Sequence, residues 1–189
     1  MTGPRPADYL RLVVMGVSGS GKSTLGAALS ERLDLRMVDG DDLHLPESVA
    51  KMRSGVALED ADRWPWLDRI GHLLADPEQP SGLVVACSAL RRAYRDRIRQ
   101  QSTAVGFLFL DGSFELIETR LKQRVGHYMR AELLISQFRT LERPGTDEND
   151  VLRLSIDQPV AELVEVAVQH LAGLSRPAIH LQTQRVTTP

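Results

Sequence analysis

Eight residues near the amino terminus, Gly16-Val17-Ser18-Gly19-Ser20-Gly21-Lys22-Ser23, fit the pattern G-x-x-x-x-G-K-[ST] and constrain the fold more than any other stretch. The pattern works only as the turn between a buried strand and the first turn of a helix. Leu10 to Met15 supplies the apolar strand, and Ser23 to Leu33 has the apolar spacing of the helix. The glycines open backbone dihedrals closed to other residues, so successive N–H groups can turn inward and form an anion cradle at the positive end of that helix. Lys22 is then placed to reach β- and γ-phosphates, and the Ser23 hydroxyl to ligate Mg²⁺. A plain Gly/Ser-rich turn would share the composition but not the flanking strand. A nucleoside triphosphate is the ligand to expect.

The rest of the chain repeats the strand-then-helix pattern. Arg36 to Val38, Leu83 to Cys87, Ala104 to Leu110 and Val151 to Ile156 read as strands. Helical stretches are expected at Glu47 to Ser54, Ala61 to Ala75, Arg91 to Gln101, Phe114 to Arg124, Ala131 to Leu141 and Pro159 to Leu171. This alternation predicts an α/β fold with a five-stranded, mostly parallel sheet covered by helices on both faces. One domain over residues 10–173 is expected, because no linker-like segment divides it. Residues 1–9 and 174–189 carry little apolar periodicity and are expected to form an N-terminal extension and a flexible tail.

A formal net charge of −2 leaves no basic face for nucleic acid or an anionic bilayer. No apolar run approaches the roughly 18 to 20 residues that span a membrane. Cys87 is the only cysteine, so no intramolecular disulfide can form, in keeping with the reducing cytoplasm. The expected partner is a small molecule.

Phosphoryl transfer requires the donor and acceptor held in line, with positive charge around the moving group. Asp39 and Asp41 stand two apart at the end of a strand and would share one side if extended geometry persisted. Asp39 is assigned to the metal and Asp41 to orienting, and deprotonating, an acceptor hydroxyl; the other reading is a solvated acidic turn. The third strand runs into Cys87-Ser88-Ala89 with no aspartate, so magnesium must find its carboxylate elsewhere, which favours Asp39. Arg120 and Arg124, four apart on a helix before a glycine-containing break, fit either a cationic lid over the triphosphate or a solvated helix face. Arg53, Arg63, Arg91 and Arg130 all lie where a guanidinium could meet an acidic acceptor, and spacing does not rank them. His44 and His127 flank the two active motifs and suit structural or hydrogen-bonding roles. Trp64, Trp66 and Cys87 read as packing residues.

Several segments are distinctive together: Gly16 to Thr24 (GVSGSGKST), Asp39 to His44 (DGDDLH), Lys51-Met52, Asp60 to Leu67 (DADRWPWL), Cys87 to Arg91 (CSALR), Gly126 to Met129 (GHYM), and Ser136-Gln137-Phe138 followed by Leu141-Glu142. In this order, over roughly residues 10–172, the series resembles the bacterial-type gluconate kinases of the shikimate-kinase-like P-loop group. The resemblance implies a three-layer P-loop fold like that of nucleoside monophosphate kinases, with a mobile helical lid at about 120–140. It implies transfer of the ATP γ-phosphate to the 6-hydroxyl of D-gluconate, feeding the pentose phosphate or Entner-Doudoroff routes, and commonly a homodimer. On this reading Gly16, Val17, Ser18, Gly19, Ser20, Gly21, Lys22, Ser23 and Thr24, with Arg120 and Arg124, hold the nucleotide. Asp41 faces the acceptor, with Arg63 as its arginine and Ser88 to Arg91 as its loop; His44, Arg53 and His127 join them as acceptor-side candidates from their positions, Arg53 at a place that varies in the family. Ser23 and Asp39 hold Mg²⁺, and Lys22, Asp41 and Arg124 form the catalytic set.

Related acceptors are the nearest rivals. Adenylylsulfate kinases usually carry an arginine after the acidic segment, where Leu43-His44-Leu45 stands here, and shikimate kinases carry a glycine triplet where Ser88-Ala89-Leu90 stands. A rival of another class, an ATP-binding regulatory module without phosphotransfer, leaves the charged residues at the strand ends unexplained.

Overall fold

The strand that delivers the glycine-rich loop, β1 (Arg11–Met15), lies at the centre of the sheet. The structure is a computed structural model and describes residues 10–77, 82–102, 104–123 and 131–174. After β1 come α1 (Lys22–Leu33), β2 (Arg36–Asp39), α2 (Pro46–Arg53), α3 (Asp60–Ala75), β3 (Leu83–Ala86), α4 (Arg92–Gln101) and β4 (Val105–Asp111). The chain continues through α5 (Phe114–Gln123), α6 (Ala131–Thr140), β5 (Val151–Ser155) and α7 (Val160–Leu174). All pairings are parallel and the strand order is β2-β3-β1-β4-β5. β1 therefore pairs with β3 on one side and β4 on the other, and the chain winds outward in both directions. That reversal opens a crevice at the carboxyl ends of the strands, the usual ligand position in open parallel sheets.

Side-chain alternation along β1 divides the core in two. Leu12 and Val14 face α1 and α7, where they join Leu25, Leu29, Leu163 and Ala167. Val13 and Met15 face α3 and join Trp66, Leu67, Ile70 and Leu74, with Tyr94 and Ile98 of α4. Each such side chain contributes about 1.5–3 kcal/mol when fully buried, so both faces must be covered before the crevice has rigid walls. This is the expected α/β architecture.

The elements differ from expectation mainly at their ends. α3 begins at Asp60 because Glu59 and Asp62 form a reciprocal cap, the Glu59 N–H donating to the Asp62 carboxylate at 2.7 Å. Lys51 of α2 adds an ion pair to Asp62 at 2.6 Å and ties the two helices together. α7 continues to Leu174, beyond the expected end at Leu171. The centre of the expected lid, including Arg124, His127, Arg130 and the Gly126 to Met129 motif, lies outside the described residues, as do residues 1–9 and 175–189. Among the described residues no helix is long and apolar enough to cross a membrane.

Candidate active site

The donor end is built from contiguous backbone. Gly16, Gly19 and Gly21 take φ of 146°, 82° and 101°, the conformations that the spacing of the loop predicted. The Gly16 N–H donates to the Ser88 carbonyl at 3.3 Å, which ties the loop to the chain leaving β3. Lys22 opens α1 and its ammonium arcs back to the Val17 carbonyl at 3.1 Å, lying across the mouth of the cradle. Beside the loop is a cavity of about 440 Å³ whose lining includes Gly21, Thr24, Leu25, Arg120, Pro159 and Leu163. Arg120 donates to the Ile156 carbonyl, so it bridges α5 to the chain beyond β5 rather than projecting as a solvated lid cation.

The acidic segment does not stay extended, which corrects the simple alternation argument for Asp39 and Asp41. Gly40 to Leu43 wind into a 3₁₀ turn, and the Asp39 carboxylate caps it by accepting from the Asp41 N–H at 3.1 Å. Gly40 is required here by close approach: a Cβ would stand 2.6 Å from the Ala86 carbonyl oxygen. α3 holds the turn from below, with Trp66 Nε1 donating to the Gly40 carbonyl at 2.6 Å and Arg69 to the Leu43 carbonyl at 3.2 Å. The two carboxylates nevertheless differ in their surroundings. The Ser23 hydroxyl donates to Asp39 Oδ2 at 3.5 Å, joining the loop to the second strand across 16 residues of sequence. Asp41 stands at the crevice mouth, 82% exposed. The surrounding protein desolvates it enough to raise its pKa, the like charge of Asp39 adds to the rise, and Lys22 and His44 oppose it.

His44 is buried against Trp66, the two rings stacked at 4.3 Å and 13°. Burial lowers its pKa, opposed by the Asp41 carboxylate and aided by Arg63, which favours the neutral ring. Its Nε2 stands 4.0 Å from Asp41 Oδ1, while Nδ1 is buried without a hydrogen-bond partner among the described residues. Asp60 lies next to this group. It accepts from the Tyr94 hydroxyl at 2.5 Å and from Arg91 at 2.8 Å, with Arg63 3.7 Å away. Arg63 and Arg91 lie 5.6 and 5.8 Å from the centre of the Tyr94 ring. Arg53 is exposed in the last turn of α2 and is not a member of the cluster.

A buried ion pair shapes the loop after β3. Arg95 grips Glu148 through two bonds, 2.7 and 2.6 Å, with both side chains at most 2% exposed. Its remaining nitrogen donates to the Ala89, Leu90 and Glu142 carbonyls at 3.2, 3.4 and 3.1 Å. Those contacts hold Ala89 at a φ of 40°, a left-handed conformation that costs a non-glycine residue about 1–2 kcal/mol. Glu142 in turn accepts from the Arg92 N–H at 2.7 Å, capping α4. The guanidiniums of Arg95 and Arg99 hold the Glu148 carboxyl down at a pKa of about 2.

The structure thus brings together the loop residues, Asp39, Asp41, His44, Arg63, Ser88 and Arg91 at one sheet edge. Asp60, Tyr94, Arg95, Glu148 and Gln137 were not assigned from sequence. For Arg95 a signal existed: it sits between Tyr94 and Ile98 on the inward face of α4, where an arginine must be paired. Gln137 belongs to the Ser136-Gln137-Phe138 segment, whose sequence pattern assigns it no role. Its side-chain oxygen accepts from the Ser18 N–H at 2.6 Å and its nitrogen donates to the Ser18 hydroxyl at 3.0 Å.

A family model described as shikimate kinase matches residues 18–170. The thermosensitive gluconokinase of Escherichia coli (strain K12) is 40% identical over 169 residues, covering 88% of this chain and 90% of that protein. The chain belongs to the gluconokinases of the shikimate kinase family. A crystal structure of a gluconokinase from Sinorhizobium meliloti 1021 superposes with a TM-score of 0.80 at 43% identity, covering 88% of this chain and 94% of the other. The Mycobacterium tuberculosis APS kinase with AMPPNP and APS bound superposes at 0.63 with 20% identity, covering 86% of this gluconokinase-family chain and 97% of the other, a likeness of fold alone.

Proposed function

We propose that this chain transfers the γ-phosphate of ATP to the 6-hydroxyl of D-gluconate, yielding 6-phospho-D-gluconate and ADP. The observation that carries the reading is the single line of groups at the sheet edge: Lys22 and Ser23, then Asp39 and Asp41, then His44 and Arg63. Phosphate-binding groups thereby meet a candidate base that is backed by arginines. The membership in the gluconokinases supports gluconate over other acceptors.

The loop N–H groups and Lys22 hold the β- and γ-phosphates and draw off negative charge as it shifts toward the leaving oxygen. Ser23 Oγ and Asp39 Oδ2 are hard oxygen donors, the set that Mg²⁺ takes together with phosphate oxygens and water, so these residues fit the ion. When bound, Mg²⁺ neutralises charge on the phosphates. Asp41 accepts the proton of the gluconate hydroxyl as its oxygen bonds to the γ-phosphorus and the bond to the ADP oxygen breaks. A raised pKa makes Asp41 a stronger base than an ordinary aspartate. Arg63 and Arg91, already oriented by Asp60 and Tyr94, are the partners for the gluconate carboxylate. The cavity beside Arg120 and Pro159 is assigned to the nucleobase. Arg124 and His127 keep the lid and acceptor roles that the resemblance implies. A homodimer and a cytoplasmic location belong to the same reading.

A panel of acceptors with Mg·ATP tests the assignment. ADP should form in proportion to D-gluconate and barely without it. Equal release with shikimate, adenylylsulfate or no acceptor would sink it.

A further inference from the structure

We propose that Gln137 is a positioning residue for the phosphate loop, acting through Ser18 to hold the cradle in its phosphate-ready shape. Two independent bonds carry the inference. The amide oxygen accepts from the Ser18 N–H at 2.6 Å and the amide nitrogen donates to the Ser18 hydroxyl at 3.0 Å, across 119 residues of sequence. An amide is the side chain suited to this pair, since it offers an acceptor and a donor on one rigid plane.

The geometry around both residues explains why a brace is useful there. Ser18 lies between Gly16 and Gly19, both at positive φ, where the backbone has the least intrinsic preference for one conformation. Ordering such a segment costs conformational entropy, and a loop already held in place does not spend that from the binding energy of the triphosphate. The Ser18 N–H is taken by Gln137, so it is a strut and leaves phosphate binding to the N–H groups that follow. Gln137 is itself fixed by packing. Leu134 is buried one turn before it, its neighbour Phe138 meets Phe114 edge-on at 5.4 Å, and the Leu141 N–H donates to the Gln137 carbonyl at 2.9 Å. The brace therefore joins the loop to a helix anchored on α5.

The inference rests on reading Gly16 to Ser23 as the ATP site, and the test separates the two. Steady-state kinetics with Mg·ATP and gluconate are measured for wild type, Gln137→Met, Gln137→Ala, Ser18→Ala and Ser18→Ala/Gln137→Ala, with thermal midpoints alongside. Gln137→Met keeps the length and volume of the side chain and removes only the amide. Both Gln137 variants should lower kcat/KM for ATP about tenfold, with KM for gluconate and the melting midpoint of the methionine variant near wild type. Ser18→Ala should cost about threefold, and the double variant should be no worse than Gln137→Ala, because the two side chains act as one unit. Methionine restoring wild-type kcat/KM would overturn the proposal by showing that packing suffices. Fully additive losses, or an equal rise in KM for gluconate, would overturn it as well. A wild-type protein inactive with gluconate would instead count against the kinase reading itself.

Discussion

The two ends of the crevice are made differently. The donor end is eight contiguous residues whose backbone course is set by the glycines of one local motif, with a distant brace from Gln137. The acceptor end is made of side chains brought in from four places: Asp41 and His44, Asp60 and Arg63, Ser88 to Arg91, and Tyr94. A backbone cradle tolerates many partners because every residue carries the same donor. A side-chain pocket reads its ligand, because each hydroxyl or carboxylate left without a partner is costly, and such sites reject analogues lacking one group by about 10⁴. On the proposed function the labour divides accordingly: the loop would hold the phosphate donor, and the scattered residues would choose what receives the phosphate.

If the acceptor end depends on a buried frame, that frame should be the most fragile part. Arg95→Ala leaves the Glu148 carboxylate buried beside one arginine fewer and frees the Ala89 and Leu90 carbonyls, at a cost of about 3–5 kcal/mol. In a chain of this size that lowers the melting midpoint by roughly 10 °C, readable by calorimetry. An unchanged midpoint would mean that the pair is not a structural keystone. Lys22→Ala should do the opposite, losing about 10³ in kcat while the fold melts as before. Asp41→Asn should lose about 10² or more in kcat. Near-normal turnover there would remove Asp41 as the base but leave Asp39 with the metal. In the wild type the acid limb of kcat/KM should fall above the ordinary aspartate range, since the Asp41 pKa is raised.

Smaller effects should separate the two ends by substrate. Arg63→Ala and Arg91→Ala should each raise KM for gluconate about tenfold and leave KM for ATP within about twofold. A shared rise in both would place these arginines outside the acceptor pocket. The smallest effect is the pH dependence of the frame. Glu148 has its pKa lowered from 4.5 to about 2 by Arg95 and Arg99, so its contribution to stability is complete above about pH 4.5 and fades as pH falls toward 2. The stability gap between wild type and Glu148→Gln should therefore narrow over that window, followed by urea melts at fixed temperature.

The same contrast explains what could be read in advance. The strand-loop-helix unit, the strand-helix alternation behind the parallel sheet and the positions of Lys22 and Ser23 at the start of α1 follow from local pattern, since each depends on neighbours in sequence. Asp39 and Asp41 could be placed at the strand end from their spacing, but the extended geometry expected for them gives way to a 3₁₀ turn that Asp39 itself caps. Arg63 and Arg91 could not be ranked against Arg53 from spacing, because what orients them is Asp60 and Tyr94, the latter 31 and 34 residues away from Arg63 and Asp60 in sequence. Arg95 and Gln137 were hidden for the same reason: their partners, Glu148 and Ser18, are 53 and 119 residues distant. Periodicity reports which side of an element faces inward and is silent about the partner waiting there.

The central claim is that both ends serve one transfer. Incubation of the protein with Mg²⁺ and ATP labelled in the γ-phosphate, with and without D-gluconate, tests it most directly. If both ends serve one transfer, the label appears on the 6-position of gluconate, one for each ADP formed. Label released only as inorganic phosphate, at the same rate with or without gluconate, would contradict it.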